Sequence, residues 1–279
     1  MKKLYFDNNI IIDLHNERRE ELVKCISNLD RSEYQIPFSP AHIEEIAALV
    51  MHHGKNQEIA NEKLEFLAKI TQSTALLPFK RDDTTQVEDN GIYISEENPK
   101  ITYERVILYY KNNKAAEKHQ KEKIENGERL EKELRISSKE TNNLEIEKEL
   151  DIFKPWLHKI ILENSSHGIA LKCNEIKFEY LRKFFPLHEM TIEKIFEFLE
   201  ARRYYPDKST QFLSGLHDTT HAIYAAYCDV LVTNDNKFHK KAAATFSWLG
   251  VSTLILSPDE FIEYLKNQPN KSLNTDTRQ

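Results

Sequence analysis

The sequence is poor in cysteine and contains no long apolar run. Its three cysteines, Cys25, Cys173 and Cys228, are isolated from one another and form no CxxC pair. A disulfide framework or a cysteine zinc site is therefore not expected, and a reducing, cytoplasmic environment suits the chain best. Because no apolar stretch is long enough to cross a bilayer, we also expect no membrane partner.

The chain also lacks an excess of positive charge. Its 279 residues include 39 lysines and arginines against 45 aspartates and glutamates, which gives a formal net charge of −6. This balance argues against a protein that binds nucleic acid purely as a polycation, but it is compatible with an enzyme that grips phosphates locally. With 40% apolar and 30% charged residues, we expect a globular chain with one large domain, or a compact domain carrying an insertion.

The first residues place two lysines before an apolar run, as a signal peptide does. Asp7, Asn8, Asn9 and Asp13 interrupt that run, and no small-residue cleavage site follows. We therefore predict that the chain opens with a strand at residues 3–6, which ends on Asp7.

Short apolar segments alternate with helical patterns at both ends of the chain. Strands are predicted within KLYF (3–6), YQIPF (34–38), DVLVT (229–233) and VSTLIL (251–256). Ser39-Pro40 and Ser257-Pro258 indicate helix starts, because serine favours the N-cap and proline the first helical position. This alternation predicts an α/β fold with a mostly parallel central sheet and helices on both faces.

The middle third breaks the alternation. TALLPF (74–79) is predicted as a connection and the polar stretch at 81–100 as a loop, while lysine and glutamate dominate from there to about residue 150. Apolar residues with helical spacing then return. We predict that 1–80 and 206–266 are two halves of one sheet domain, that 81–205 is a large all-helical, charge-rich insertion, and that 267–279 is a disordered tail.

Acidic and polar side chains fall near the predicted carboxyl ends of the strands, where α/β proteins bind their ligands. Asp7 and Asn9 follow the first strand, and DVLVT delivers Thr233 and Asp235. Neighbouring helices contribute further acids, namely Glu44, Glu45 and Asp218. One such acid alone is more often a turn former or a helix cap than a ligand, so it is the combination that indicates a site.

Clustered carboxylates need compensation. Two unit charges ~4 Å apart repel by about 1 kcal/mol in bulk water and about 4 kcal/mol at an effective dielectric constant of 20. A cluster therefore requires bound protons or a divalent cation, and all-oxygen ligands select Mg²⁺ or Mn²⁺ over zinc.

Four motifs, in this order, resemble the PIN domain family of metal-dependent nucleases: YFDNN (5–9), FSPAHIEEIA (38–47), HDTTHAIYAAYCDVLVTNDNKF (217–238) and STLILSPDEF (252–261). The family's four acidic metal-site positions are matched by Asp7, Glu45, Asp218 and Asp235, and its supporting polar positions by Asn9 and Thr233. The resemblance covers about half the chain. It implies a three-layer α/β/α fold and hydrolysis of a phosphodiester, most often in RNA, in which a carboxylate-bound Mg²⁺ or Mn²⁺ activates water.

Some features leave alternatives open. Glu44 and Glu45 point about 100° apart on a helix, so only one can face the metal, and the spacing from the serine favours Glu45. Asp229 is either an extra ligand or, as we favour, a loop cap. The insertion is not part of a minimal PIN domain, and it could be a substrate arm, a homodimerisation element or a platform for a partner or inhibitory protein.

The histidines admit a competing interpretation. His217, Asp218 and His221 form HDxxH, a spacing found in zinc sites and similar to that of HD-type phosphohydrolases. Those folds are all-helical, strands bracket the motif here, and a third zinc ligand is not evident. His221 and His42 could instead lie near the acidic site, where they would contact a phosphate or orient an acid, or they could simply pack in the core.

Basic residues suggest where a nucleic acid would bind. Lys237, Lys240 and Lys241 follow Asp235 directly and are the best placed to hold a nucleic-acid backbone. Arg202 and Arg203 precede two tyrosines that could stack on bases, although we favour core packing for both rings. Charge runs of this kind are otherwise solvated faces.

The function predicted from the sequence is a metal-dependent endoribonuclease that acts as a toxin, a defence effector or an RNA-processing enzyme. Its partner would be nucleic acid, RNA in preference to DNA. The alternatives are a structure-selective DNA nuclease and a non-catalytic binding module built on the same scaffold. Intact acids at all four positions argue against the last of these.

Overall fold

The computed structural model describes residues 1–78, 91–110, 145–164, 171–208 and 212–268, together with a few positions between 118 and 129. The strands are β1 (Lys2–Phe6), β2 (Tyr34–Gln35), β3 (Thr74–Pro78), β4 (Ile92–Glu96), β5 (Val230–Val232) and β6 (Leu254–Leu256). The helices are α1 (Asn8–His15), α2 (Glu20–Ser27), α3 (Pro40–Met51), α4 (Gln57–Thr71), α5 (Pro99–Tyr110), α6 (Ile146–Asn164), α7 (Phe178–Leu181), α8 (Phe185–Ala201), α9 (Phe212–Ala225), α10 (Asn236–Leu249) and α11 (Pro258–Lys266).

The predicted parallel sheet is confirmed. Its four strands run in the order β2-β1-β5-β6, and every neighbouring pair is parallel. Phe6 pairs with Val232, so β1 and β5 end side by side although 226 positions separate them. The backbone N–H of Asp7 continues this pairing, because it donates to the carbonyl of Val232 at 3.0 Å. The residues that follow both strands therefore meet at one edge.

A second sheet, of two strands, lies where no strands were predicted. β3 occupies the segment predicted as a connection, and β4 lies within the stretch predicted as a loop and inside the supposedly all-helical insertion. Phe38 joins the two sheets, since its N–H donates to Thr74 (2.9 Å) and its carbonyl accepts from Leu76 (2.7 Å). Pairing with a distant backbone stabilises these strands, and a short apolar run does not reveal such pairing.

Apolar cores cover both faces of the four-stranded sheet. Leu4 and Phe6 of β1 face one core, which α1, α2, α3, α4 and α11 complete. Tyr5 faces the other, which includes buried residues of α6, α8, α9 and α10. The middle helices thus pack in the same core as α9 and α10. This mixed α/β arrangement is compatible with three layers, α/β/α.

Some sequence predictions fall outside the described residues. These are most of the lysine- and glutamate-rich stretch between 111 and 144 and the tail from 269 onward. Among the helices that are described, none combines the length and the apolar character needed to span a membrane.

Candidate active site

Asp7 and Asp235 are joined through Thr233 at the adjacent ends of β1 and β5. Asp7 caps α1, with Oδ1 accepting from the backbone N–H groups of Asn9 (2.5 Å) and Ile10 (3.3 Å). Its other oxygen, Oδ2, accepts a short hydrogen bond from Thr233 Oγ1. Thr233 Oγ1 in turn accepts from the backbone N–H of Asp235 at 3.1 Å. Thr233 therefore links the Asp7 carboxylate to the backbone of Asp235 at the same edge of the sheet.

Asp235 also begins α10. Its Oδ1 accepts from the backbone N–H groups of Lys237 (2.7 Å) and Phe238 (3.0 Å), which is an N-cap. The helix cap, which the sequence offered as the alternative to a ligand for any single acid, is therefore present at Asp235. A carboxylate offers about four lone-pair sites, so the cap leaves capacity for a further interaction.

Asp7 and Asp218 have raised pKa values. Burial raises the pKa of Asp7 to about 6, and the charge of Glu45 adds to this, whereas His221 and the Thr233 hydroxyl oppose it. Burial likewise raises the pKa of Asp218 well above its ordinary value, with further increases from Asp235 and Asp207. The pKa of Asp218 is thus raised by Asp7 and Asp235, which are two of the other candidate ligands. An additional positive charge would favour the ionised form of each carboxyl.

Glu45, rather than Glu44, faces this edge. Its Oε2 accepts from Asn8 Nδ2 at 2.5 Å and its Oε1 lies 2.8 Å from His221 Nε2. Burial acts to raise the pKa of Glu45, but the hydrogen bond and charge of His221 outweigh it, and the pKa falls to about 2. Glu44 is half-buried one residue earlier on α3.

His221 and His42 lie beside the acids, as one of the two interpretations of the sequence predicted. Their ring centroids are 4.8 Å apart and both residues are buried. His221 Nδ1 lies 2.8 Å from the hydroxyl of Tyr5, which lies 2.6 Å from Ser39 Oγ.

His42 has a different set of partners from His221. It contacts backbone groups, with Nδ1 accepting from the N–H of Ser39 (3.1 Å) and Nε2 donating to the carbonyl of Phe6 (2.7 Å). Burial lowers the pKa of His42 to about 3, which keeps the ring neutral. His42 thus helps to hold the start of α3 against the end of β1.

Asn9 and Asp229 take structural roles. The backbone of Asn9 donates to Asp7 while its side chain is exposed, so the amide that reaches a candidate ligand belongs to Asn8. Asp229 Oδ2 accepts from the N–H of Lys3 at 2.7 Å, at the opposite end of β5 from Thr233. Asp229 thus bonds the backbone of β1 away from the other acids.

The structure contradicts two of the predicted nucleic-acid contacts. Lys241 is 3% exposed and binds Glu200 (3.1 Å) and Asp207 (2.8 Å), while Arg203 is 8% exposed and binds Glu200 (2.7 Å). Burying these charges against carboxylates withdraws them from solvent, so neither can hold a backbone phosphate. Sequence reasoning missed Asp207, since nothing in its local context sets it apart.

The other basic residues are more accessible. Lys240 is exposed. Lys237 donates to the carbonyl of Pro206 at 2.6 Å, and Arg202 pairs with Glu149 at 2.6 Å. Tyr204 is buried in the core with Tyr205 packed against it, which confirms the preference for packing over base stacking.

The acids have the donor atoms that a hard cation prefers, but they are not arranged as a complete set of ligands. Across the described ranges, no three His, Cys, Asp or Glu side chains form a metal-binding group. The donors are nevertheless carboxylate oxygens, which are the ligands preferred by Mg²⁺ and Mn²⁺. Among them, buried Asp7 and half-buried Asp218 have raised pKa values. No family model, curated protein or solved structure matched the chain.

Proposed function

We propose that the protein is a PIN-like nuclease, an endoribonuclease that depends on Mg²⁺ or Mn²⁺. The observation that carries the proposal is the junction of Asp7, Thr233 and Asp235 at the ends of two adjacent parallel strands. Ligands of α/β proteins bind outside the carboxyl ends of such strands. Asp218 and Glu45 complete a set of four acids drawn from separate parts of the sequence.

Charge supports the same proposal. Burial is the main reason that the pKa values of Asp7 and Asp218 are raised, and neighbouring acids raise them further. A divalent cation bound by Asp7, Glu45, Asp218 and Asp235 would favour the ionised form of these carboxyls. When bound, it supplies the positive charge that polarises a phosphodiester and lowers the pKa of water.

The chain's own residues fix the acids before any cation arrives. Thr233 holds one oxygen of Asp7, and Asn8 holds one oxygen of Glu45. Lys240 is exposed one turn and a half after Asp235, where it can contact a substrate phosphate. These positions limit the rearrangement that substrate binding requires.

The test is cleavage of single- and double-stranded RNA and DNA in the presence of Mn²⁺, Mg²⁺ or EDTA. Asp7→Asn and Asp235→Asn are each expected to lower the rate by at least about 100-fold, since loss of an outer partner of a metal ligand already costs 10–100-fold. The matched control is Asp30→Asn, an exposed aspartate ahead of β2, which should cleave like the wild type.

The outcomes separate the candidate functions. Metal-dependent cleavage of RNA that both substitutions abolish supports the proposal. Cleavage confined to DNA would instead identify a DNA nuclease with the same site. A folded wild type that cleaves none of these substrates with either metal would contradict nuclease activity, and full activity in both variants would contradict the site.

A further inference from the structure

A row of buried hydrogen-bonding side chains stands behind Glu45. His221, Tyr5 and Ser39 are 2%, 0% and 0% exposed, and successive members lie 2.8 Å and 2.6 Å apart. They come from α9, β1 and the N-cap of α3, so the row joins three elements that are distant in the sequence. None of the three is among the four candidate ligands.

The direction of the hydrogen bond to Glu45 follows from the groups involved. An ionised carboxylate can only accept a hydrogen bond, so His221 Nε2, 2.8 Å from Glu45 Oε1, carries a proton and donates. The Tyr5 hydroxyl lies 2.8 Å from Nδ1, so this second ring nitrogen is also hydrogen-bonded. Both nitrogens of His221 are then occupied, which fixes the ring orientation.

Glu45 is held from two sides as a result. His221 on α9 occupies Oε1, and Asn8 on α1 occupies Oε2, although Glu45 itself lies on α3. With about four lone-pair sites on the carboxylate, two sites stay open in this arrangement.

We propose that His221 is a positioning residue, which orients Glu45 to bind the cation, and that Tyr5 and Ser39 set the orientation of the His221 ring. This inference rests on the proposed function, because it assigns a role within the same site. Hydrogen-bonding partners of metal ligands fix ligand orientation and typically affect metal affinity by 10–100-fold.

A pair of amide substitutions separates positioning from simple packing. In His221→Gln the side-chain amide reaches the place of Nε2 and can still donate to Glu45. In His221→Asn the shorter amide reaches only the place of Nδ1, beside Tyr5. Both substitutions remove the same imidazole from the core, so a packing role predicts the same effect for both.

The measurement is Mn²⁺ binding to the full chain by isothermal titration calorimetry, with cleavage assayed in parallel. We expect His221→Asn to weaken Mn²⁺ binding at least about tenfold and His221→Gln to stay within about threefold of the wild type. Tyr5→Phe, which removes only the hydroxyl, should weaken binding by an intermediate factor. It also provides the test should His221→Asn fail to fold.

Equal Mn²⁺ affinities in the wild type and the folded variants would overturn the positioning role, even if the wild type cleaves RNA. The absence of Mn²⁺ binding by the wild type would overturn it as well. Conversely, the expected order of affinities without cleavage of any nucleic acid would support the positioning role while contradicting the nuclease.

Discussion

At the scale of single residues, three buried histidines show how a partner decides a role. His221 touches a candidate ligand, whereas His42 and His188 contact backbone carbonyls. His188 Nε2 lies 2.9 Å from the carbonyl of Ile223, and its Nδ1 has no hydrogen-bond partner within the described part of the chain. An unpartnered ring nitrogen inside an apolar core is a place where protonation would be costly.

His188 should therefore make stability depend on pH. Burial lowers its pKa to about 4, while the unfolded chain has the ordinary value of about 6.5. The folded state binds a proton at His188 less tightly than the unfolded state does. Above pH 6.5 the ring is neutral in both states, so His188 does not lower the free energy of unfolding there. The free energy of unfolding declines as the pH falls from 6.5 to 4, by up to about 1.4 kcal/mol per pH unit.

Urea unfolding between pH 4 and 7.5 checks this prediction. His188→Gln keeps an amide that can donate to the Ile223 carbonyl but removes the titrating ring. Its free energy of unfolding should fall less steeply below pH 6.5 than that of the wild type. Parallel curves for the two proteins would contradict the assignment.

At the scale of elements, α10 illustrates how local signals define an element without revealing its environment. Asp235 caps its start, and Gly250 ends it with a left-handed backbone (φ 72°). Between them the charged run HKK suggested a solvated surface, yet Phe238 and Lys241 are buried while Lys240 is exposed. The helix turns about 100° per residue, so Lys240 can face solvent while the adjacent Lys241 faces the protein interior.

Substitution of Gly250 should destabilise the end of α10 through its backbone alone. A Cβ at this position would meet no heavy atom within 4 Å, so the cost is the left-handed conformation and not a clash. We expect Gly250→Ala to lower the free energy of unfolding by about 1 kcal/mol and Gly250→Asn to lower it by less, because asparagine tolerates this conformation. Urea unfolding of the three proteins decides this, and equal losses in both variants would contradict it.

At the scale of the whole molecule, a buried ion cluster connects the middle helices to the edge that carries the acids. Lys241 of α10 binds Glu200 at the end of α8 and Asp207 beyond it, and Arg203 also binds Glu200. The charge of Lys241 also lowers the pKa of Asp218, against the effect of burial and of neighbouring acids. The end of α8 therefore lies near the candidate site, and charges of this cluster influence the pKa of Asp218.

Breaking this cluster should be costly. Lys241→Met would leave Glu200 and Asp207 buried with one cation fewer, so we expect the free energy of unfolding to drop by roughly 3–5 kcal/mol. The matched control is Lys266→Met, which removes a half-exposed lysine that pairs with Glu21 and Glu263. Solvent screens such pairs, so little change is expected. If urea unfolding shows equally small changes in the free energy of unfolding for both variants, the cluster does not stabilise the fold.

Local sequence by itself determined the alternation of strands and helices, the helix starts after Ser39 and Ser257, and the end of α10 at Gly250. These features depend on residues a few positions apart, and capping chemistry or apolar spacing records them directly. The placing of Asp7 and Asp235 at one edge also followed from sequence, because parallel strands align their carboxyl ends.

Only the tertiary structure decided the pairing of β3 with β4, the burial of Lys241 and the partnership of His221 with Glu45. His221 and Glu45 are 176 positions apart, and Lys241 lies 41 positions from Glu200. Hydrogen bonds and ion pairs across such separations depend on how packed elements are oriented in space. The residues next to His221 or Lys241 in the sequence do not carry that information. A charged side chain has the same local sequence pattern whether it faces solvent or a buried counter-ion.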